Sequence, residues 1–143
     1  MSFPPADVET RSFHLGMIYA FIEVVASGCK RLALSAPMTA EELHAVSAAA
    51  LAIAEEYGVL TYADDDCLET RLFNPAFTRD KHVILFVADR ATFDEYLALK
   101  ELRARALADG SLADREEDIA RRFGRLLSYS DEAVGRLLEK PRF

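Results

Sequence analysis

The stretch that decides the fold is Val83-Ile84-Leu85-Phe86-Val87-Ala88, an unbroken apolar run. A strand with one solvated face alternates apolar and polar side chains, whereas a continuous apolar run is typical of a strand that is covered on both faces. The sequence therefore predicts that this strand lies at the centre of a sheet.

Two shorter apolar runs, residues 31–35 and 59–63, flank a predicted helix. The helix begins at Thr39, because Thr39 and Glu42 have the spacing of a capping box, and Gly58 ends it. Strand, helix and strand in this order predict a right-handed β-α-β crossover whose two strands run parallel.

A polar turn and an alternating segment follow the second run. The turn is predicted from three consecutive aspartates, Asp64, Asp65 and Asp66. In residues 67–72, Leu68, Thr70 and Leu72 alternate with more polar positions, which predicts a half-exposed strand paired in a hairpin.

The remaining patterns are helical. Residues 7–27 are apolar nearly all round, so that helix must be covered on more than one side, by its own domain or by a second subunit. Residues 92–108 begin with a second capping box at Thr92, and two more C-terminal helices are predicted at 111–127 and 130–140.

Together these elements predict an α/β fold with a mixed sheet of about four strands, helices packed on it and C-terminal helices. A two-layer α+β arrangement is the alternative, because the second and third strands form the hairpin. No linker or repeat interrupts residues 1–143, so a single domain is predicted.

Charge and hydropathy limit the classes of partner that the protein is expected to bind. The 17 basic and 24 acidic residues give a formal net charge of −7, which argues against nucleic acid and against an anionic membrane surface as partners. The apolar residues 15–22 fall far short of the ~20 that span a bilayer, and residues 1–7 lack the basic start of a secretory leader. We therefore expect a soluble, cytoplasmic protein.

The sequence contains no motif that identifies a catalysed reaction. The chain has no glycine-rich phosphate loop, no G-x-S-x-G and no H-E-x-x-H, and Cys29 and Cys67 form no C-x-x-C pair. The sequence predicts no resident metal and leaves any cofactor unidentified.

Candidate binding residues follow from the predicted sheet. Ligands of open α/β sheets bind beyond the carboxyl ends of the strands, where this chain carries polar side chains. A histidine beside Asp80 adds a group that titrates near neutral pH, so it is a candidate acid or base. The candidates are Ser35, Tyr62, Asp64, Asp66, His82, Asp89 and Arg90.

These residues also have ordinary structural explanations. Asp89 is placed to cap the helix ahead of Thr92, Asp64 and Asp66 fit a solvated turn, and His82 ends a charged loop. Both explanations stay open at the level of the sequence.

Three functions fit these patterns. The first is a small binding or regulatory module that acts as a homo-oligomer and takes a small-molecule ligand, since no catalytic motif is present and the first helix is apolar all round. The second is a small hydrolase or transferase in which Asp64, Asp66 and Asp89 hold Mg²⁺ at the strand ends. The third is an acidic adaptor that docks a basic protein partner on its glutamate-rich helix faces.

Overall fold

A three-stranded antiparallel sheet forms the centre of the computed structural model, which describes residues 4–141. Its strands are β1 (Leu32–Leu34), β2 (Leu60–Asp64) and β3 (Val83–Val87), in the order β1-β3-β2. Every residue of β3 is buried, and Leu85 pairs with Leu34 on one side and with Tyr62 on the other. The predicted central strand is confirmed.

Helices cover both faces of the sheet. Ile84 and Phe86 point into a core shared with the first two helices, and Leu85 points into a second core shared with the last three. The fold is mixed α/β with three layers, so the two-layer alternative is wrong. The helices are α1 (Thr10–Ala26), α2 (Ala40–Tyr57), α3 (Arg90–Asp109), α4 (Leu112–Leu126) and α5 (Asp131–Glu139).

The predicted strand over residues 67–72 does not form. Side chains occupy backbone N–H groups that a sheet partner would need: Leu68 donates to the Tyr96 hydroxyl at 3.0 Å, and Leu72 donates to the Thr70 hydroxyl at 3.2 Å. Side-chain acceptors, whether local like Thr70 or distant like Tyr96, compete with strand pairing for these groups. The sheet therefore has three strands, and the predictions of a hairpin and of about four strands are wrong.

The predicted β-α-β crossover is confirmed only in part. β1 and β2 run in the same direction, since each is antiparallel to β3, but β3 lies between them and they do not pair. The sheet is thus antiparallel and not mixed. The unbroken apolar run of β3 fits the central position, which is paired on both edges and covered on both faces.

Side-chain caps set the helix starts. The capping box of α2 is confirmed, with Glu42 N–H donating to Thr39 Oγ1 and Thr39 N–H donating to the Glu42 carboxylate, both at 3.1 Å. The start predicted for α3 at Thr92 is wrong: the helix begins at Arg90, and its cap is Asp89, whose carboxylate accepts the Thr92 N–H at 2.8 Å. The capping explanation for Asp89 is confirmed.

Within residues 4–141, no helix combines the length and the apolar character that crossing a membrane requires. The expectation that the chain starts without a leader rests in part on Met1, Ser2 and Phe3, which lie outside the described residues.

Candidate functional site

A cavity of about 370 Å³ opens at the end of β1, and we call it the β1 cavity. It is enclosed by α1, by the residues that follow β1, by the C-terminal end of α4 and by residues 67–78, which we call the wall segment. Most of its lining is apolar or aromatic, including Met17, Phe21, Leu34, Phe73, Phe77 and Phe123. Size and lining are those of small-molecule sites, which span roughly 300–1,000 Å³.

Two neighbouring stripes of α1 have different partners. Ile18 and Ile22 are buried against the sheet, at 1% and 0% exposure. Met17 and Phe21 are half-buried and line the β1 cavity. Much of the apolar surplus of this helix is therefore accounted for within the chain.

The wall segment is held by side chains. Leu72 is fully buried in the core, and the Phe73 ring meets the Phe123 ring edge to face at 6.3 Å. Asn74 accepts the Ala76 N–H at 3.0 Å and so caps a short 3-10 helix, Pro75–Phe77. These contacts give the apolar side of the cavity a defined shape without a strand.

The two acids that line the cavity are engaged elsewhere. Glu42 is occupied by the capping box of α2 and also lies 3.5 Å from the buried His14 ring. Glu69 accepts two hydrogen bonds from Arg79, at 2.9 and 3.3 Å, and these bonds hold the pKa of its carboxyl below the usual range. Both carboxylates are thereby committed to structural partners.

The two lysines of the lining differ. The Lys30 ammonium donates to the Leu127 carbonyl at 2.5 Å and lies 4.7 Å from the centre of the Tyr129 ring. Lys81 is half-buried, and no carboxylate in the described part of the chain forms an ion pair with it. Lys30 is thus held by a backbone carbonyl and an aromatic ring, whereas Lys81 has no carboxylate partner within residues 4–141.

Ser35 and Cys67 also line the cavity. The Ser35 hydroxyl accepts the Ile84 N–H at 2.8 Å and donates to the Ala36 carbonyl at 3.0 Å, so it completes the sheet. Burial raises the pKa of the Cys67 thiol to about 11, which keeps it neutral near neutral pH. Neither group is available as an activated nucleophile.

Comparison with known proteins assigns this chain to no family. No family model, curated protein or solved structure matches the chain.

Asp64 lies in a polar cluster at the end of β2. Its carboxylate accepts from the Tyr96 hydroxyl at 2.7 Å, from the Lys100 ammonium at 3.0 and 3.1 Å, and from the Asp66 N–H at 2.9 Å. Burial alone would raise the pKa of Asp64, but the bonds from Tyr96, Asp66 and Lys100 outweigh it and lower the pKa. Burial raises the pKa of Tyr96, whose hydroxyl therefore stays protonated. The cluster is a satisfied structural network.

The antiparallel sheet separates the candidate residues. Ser35 follows β1 and Asp64 ends β2, both near the start of β3, whereas Asp89 and Arg90 come after the opposite end, where β3 finishes. The expectation that these residues share one edge depended on parallel strands. Among residues 4–141, no cluster of His, Cys, Asp and Glu is arranged to hold a metal ion.

The other candidates are dispersed. Asp66 is exposed, and its backbone N–H supports Asp64. His82 is half-buried and exchanges two backbone hydrogen bonds with Met38, at 2.7 and 2.8 Å, while within the described chain no ion pair joins its ring to Asp80. Its backbone therefore has a structural role beside the cavity.

Tyr62 and Arg90 belong to an aromatic stack outside the cavity. The Tyr62 ring stacks on Phe93 at 3.7 Å, and the Arg90 guanidinium lies 5.8 Å from the centre of the Tyr62 ring. Arg90 also donates to Asp94 at 2.9 Å. This surface brings two candidates together, and neither of them lines the β1 cavity.

A larger groove of about 660 Å³ lies on the other side of the wall segment. Three arginines line it, Arg71, Arg79 and Arg103, together with Glu69 and Glu116. Because Glu69 pairs with both Arg79 and Arg103, much of the positive charge is neutralised in place.

Among the described residues that line the β1 cavity, Ser35 is the only candidate that the sequence predicted. The residues that the sequence reasoning missed come from α1, α4 and the wall segment, which are distant in the chain. The sequence did contain one indication of this site. Phe73 and Phe77 lie in a segment without a strand or a long helix, and two aromatic rings there need an apolar surface to cover them.

Proposed function

We propose that this protein is a small-molecule-binding module and that the β1 cavity holds an apolar ligand. The observation that carries the proposal is the cavity itself, about 370 Å³ of space bounded by aromatic and aliphatic side chains from both cores. At about 30 Å³ per water molecule, this is room for roughly a dozen waters or for a ligand with a comparable number of non-hydrogen atoms.

The lining favours an organic ligand over water. A water molecule needs two to four polar partners, and the rings of Phe21, Phe73 and Phe123 offer none. An apolar ligand in the same place removes both its own surface and the cavity lining from water, which stabilises the complex by roughly 25 cal/mol per Å².

The chemistry of the lining supports binding without a reaction. Glu42 and Glu69 have structural partners, Cys67 is held neutral and the Ser35 hydroxyl is bonded into the sheet. Such groups lack the freedom that a base or nucleophile needs. Asp64 and Asp89 lie at opposite ends of β3, which does not support the magnesium-dependent enzyme. Two exposed acids of α4, Glu117 and Asp118, are paired with arginines one turn on, which reduces the charge available to a basic partner.

A single-tryptophan variant tests the proposal, since the chain has no tryptophan. Met17→Trp places a fluorophore in the cavity lining, and we expect decanoate or 1-decanol to shift its emission in a saturable way. Tyr19→Trp is the matched control, because Tyr19 lies two residues away on an exposed side of α1 and does not line the cavity. If neither compound changes the emission of Met17→Trp, or if both variants respond alike, the proposal is wrong.

A further inference from the structure

We infer that the ligand of the β1 cavity carries a single anionic group on its apolar body and that the Lys81 ammonium binds this group. The inference rests on the proposed function and adds the chemical class of the ligand. Its basis is the asymmetry among the four charged side chains that line the cavity in the described structure: Lys30, Glu42, Glu69 and Lys81.

The negative charges of the lining have partners in the protein. Glu69 is neutralised by Arg79 and Arg103, at 2.9 and 3.5 Å. Glu42 accepts the Thr39 N–H and lies close to His14. A cationic ligand would have to compete with these partners for either carboxylate.

The positive charges are distributed differently. Lys30 is committed to the Leu127 carbonyl and to the Tyr129 ring. Lys81 forms no ion pair with any described carboxylate, although Asp80 is its neighbour in the chain. A ligand anion would supply the ion-pair partner that Lys81 lacks among residues 4–141.

The backbone fixes Lys81 at the cavity. Its N–H donates to the Thr78 carbonyl at 3.1 Å, at the end of the wall segment, and Asp80 adopts a left-handed conformation with φ of 59° that turns the chain there. His82 is tied to Met38 by two backbone bonds, and Val83 itself lines the cavity. The root of the Lys81 side chain is therefore held between two ordered elements.

Local recognition is required because the protein as a whole repels anions. The formal net charge of −7 opposes the approach of a negative ligand at long range, but that effect is screened within a Debye length. At the cavity, a charge-assisted hydrogen bond beside an apolar lining is stronger than one in water.

Three probes with the same chain length separate charge from apolar burial. Decanoate, 1-decanol and decylamine are titrated into the Met17→Trp protein near neutral pH, with and without Lys81→Met. We expect decanoate to bind more tightly than the other two by roughly tenfold, the ratio expected for one hydrogen bond between charged groups. Lys81→Met is expected to remove that preference while 1-decanol binding is kept.

Lys140→Met is the matched control, because Lys140 is exposed and does not line the cavity. It should leave the preference for decanoate intact, and circular dichroism checks that each variant is folded. Equal binding of decanoate and 1-decanol to the unchanged Lys81 protein would overturn this inference and leave the proposed function standing. An unchanged decanoate preference in Lys81→Met would overturn it as well, whereas the absence of any binding would overturn both.

Discussion

At the scale of single residues, the Tyr96 hydroxyl links three parts of the chain. It donates to Asp64 on β2 at 2.7 Å and accepts the Leu68 N–H of the wall segment at 3.0 Å, while its ring is fully buried. Tyr96→Phe leaves a buried N–H without an acceptor, so we expect the free energy of unfolding to fall by about 1–3 kcal/mol in urea denaturation. Tyr19→Phe removes an exposed hydroxyl that bonds only Tyr57 among the described partners, and should cost less than about 0.5 kcal/mol. Equal losses in the two variants would contradict this account.

Asp64 gives the stability a pH dependence of known sign. Its pKa in the folded protein lies below the ordinary value of 3.8, so its stabilising contribution is present above that value and is lost as the pH falls through the folded pKa. Asp64→Asn should therefore lower the free energy of unfolding near neutral pH, by about 1–2 kcal/mol. The deficit relative to the unsubstituted protein should shrink in acid. Asp65→Asn, at an exposed position, is the control, and a deficit that does not change with pH would contradict the assignment.

At the scale of elements, the contact between α4 and α5 depends on a missing side chain. A Cβ at Gly124 would lie 2.3 Å from Val134 Cγ2, whereas a Cβ at Gly135 would meet nothing within 4 Å. Gly124→Ala should therefore destabilise the protein by about 1–3 kcal/mol through overpacking. Gly135→Ala should stabilise it by up to about 1 kcal/mol, because alanine is the better helix former. Thermal unfolding of both variants measures the difference in sign, and a stabilising Gly124→Ala would show that the helices can separate without cost.

The elements also show why sequence patterns succeed for some segments and fail for others. The run at Val83, the capping box at Thr39 and the C-terminal helices depend on local spacing, and each is found in the structure. The alternation over residues 67–72 is also a local pattern, but no strand forms there. The Leu68 N–H donates to the hydroxyl of Tyr96, which is distant in the chain, and is not free to pair with a strand. The candidate residues at the strand ends failed to meet for a related reason: the direction of β3 decides which ends share an edge, and no local pattern encodes it.

At the scale of the whole molecule, self-association stays a prediction. The prediction rests on the apolar surface of α1, but Met17 and Phe21 of that helix line the β1 cavity. Leu60 at the start of β2 and Leu107 on α3 are exposed, at 41% and 60%. Light scattering at micromolar concentration should give a mass at least twice the chain mass of 15.9 kDa. A mass equal to that of one chain would contradict the prediction, and dilution would separate a weak oligomer from a stable one.

The wall segment has a consequence for how a ligand enters the molecule. Three of its N–H groups are held by the side chains of Tyr96, Thr70 and Asn74, whereas those of β3 belong to a ladder that is buried throughout. Backbone groups outside the sheet ladder and the long helices open at a smaller free-energy cost, so amide hydrogens of residues 67–78 should exchange with deuterium sooner than those of Val83–Val87. Saturation with ligand should slow exchange in the first group far more than in the second. We therefore predict that a ligand of the β1 cavity enters through a local opening of the wall segment while the sheet stays paired.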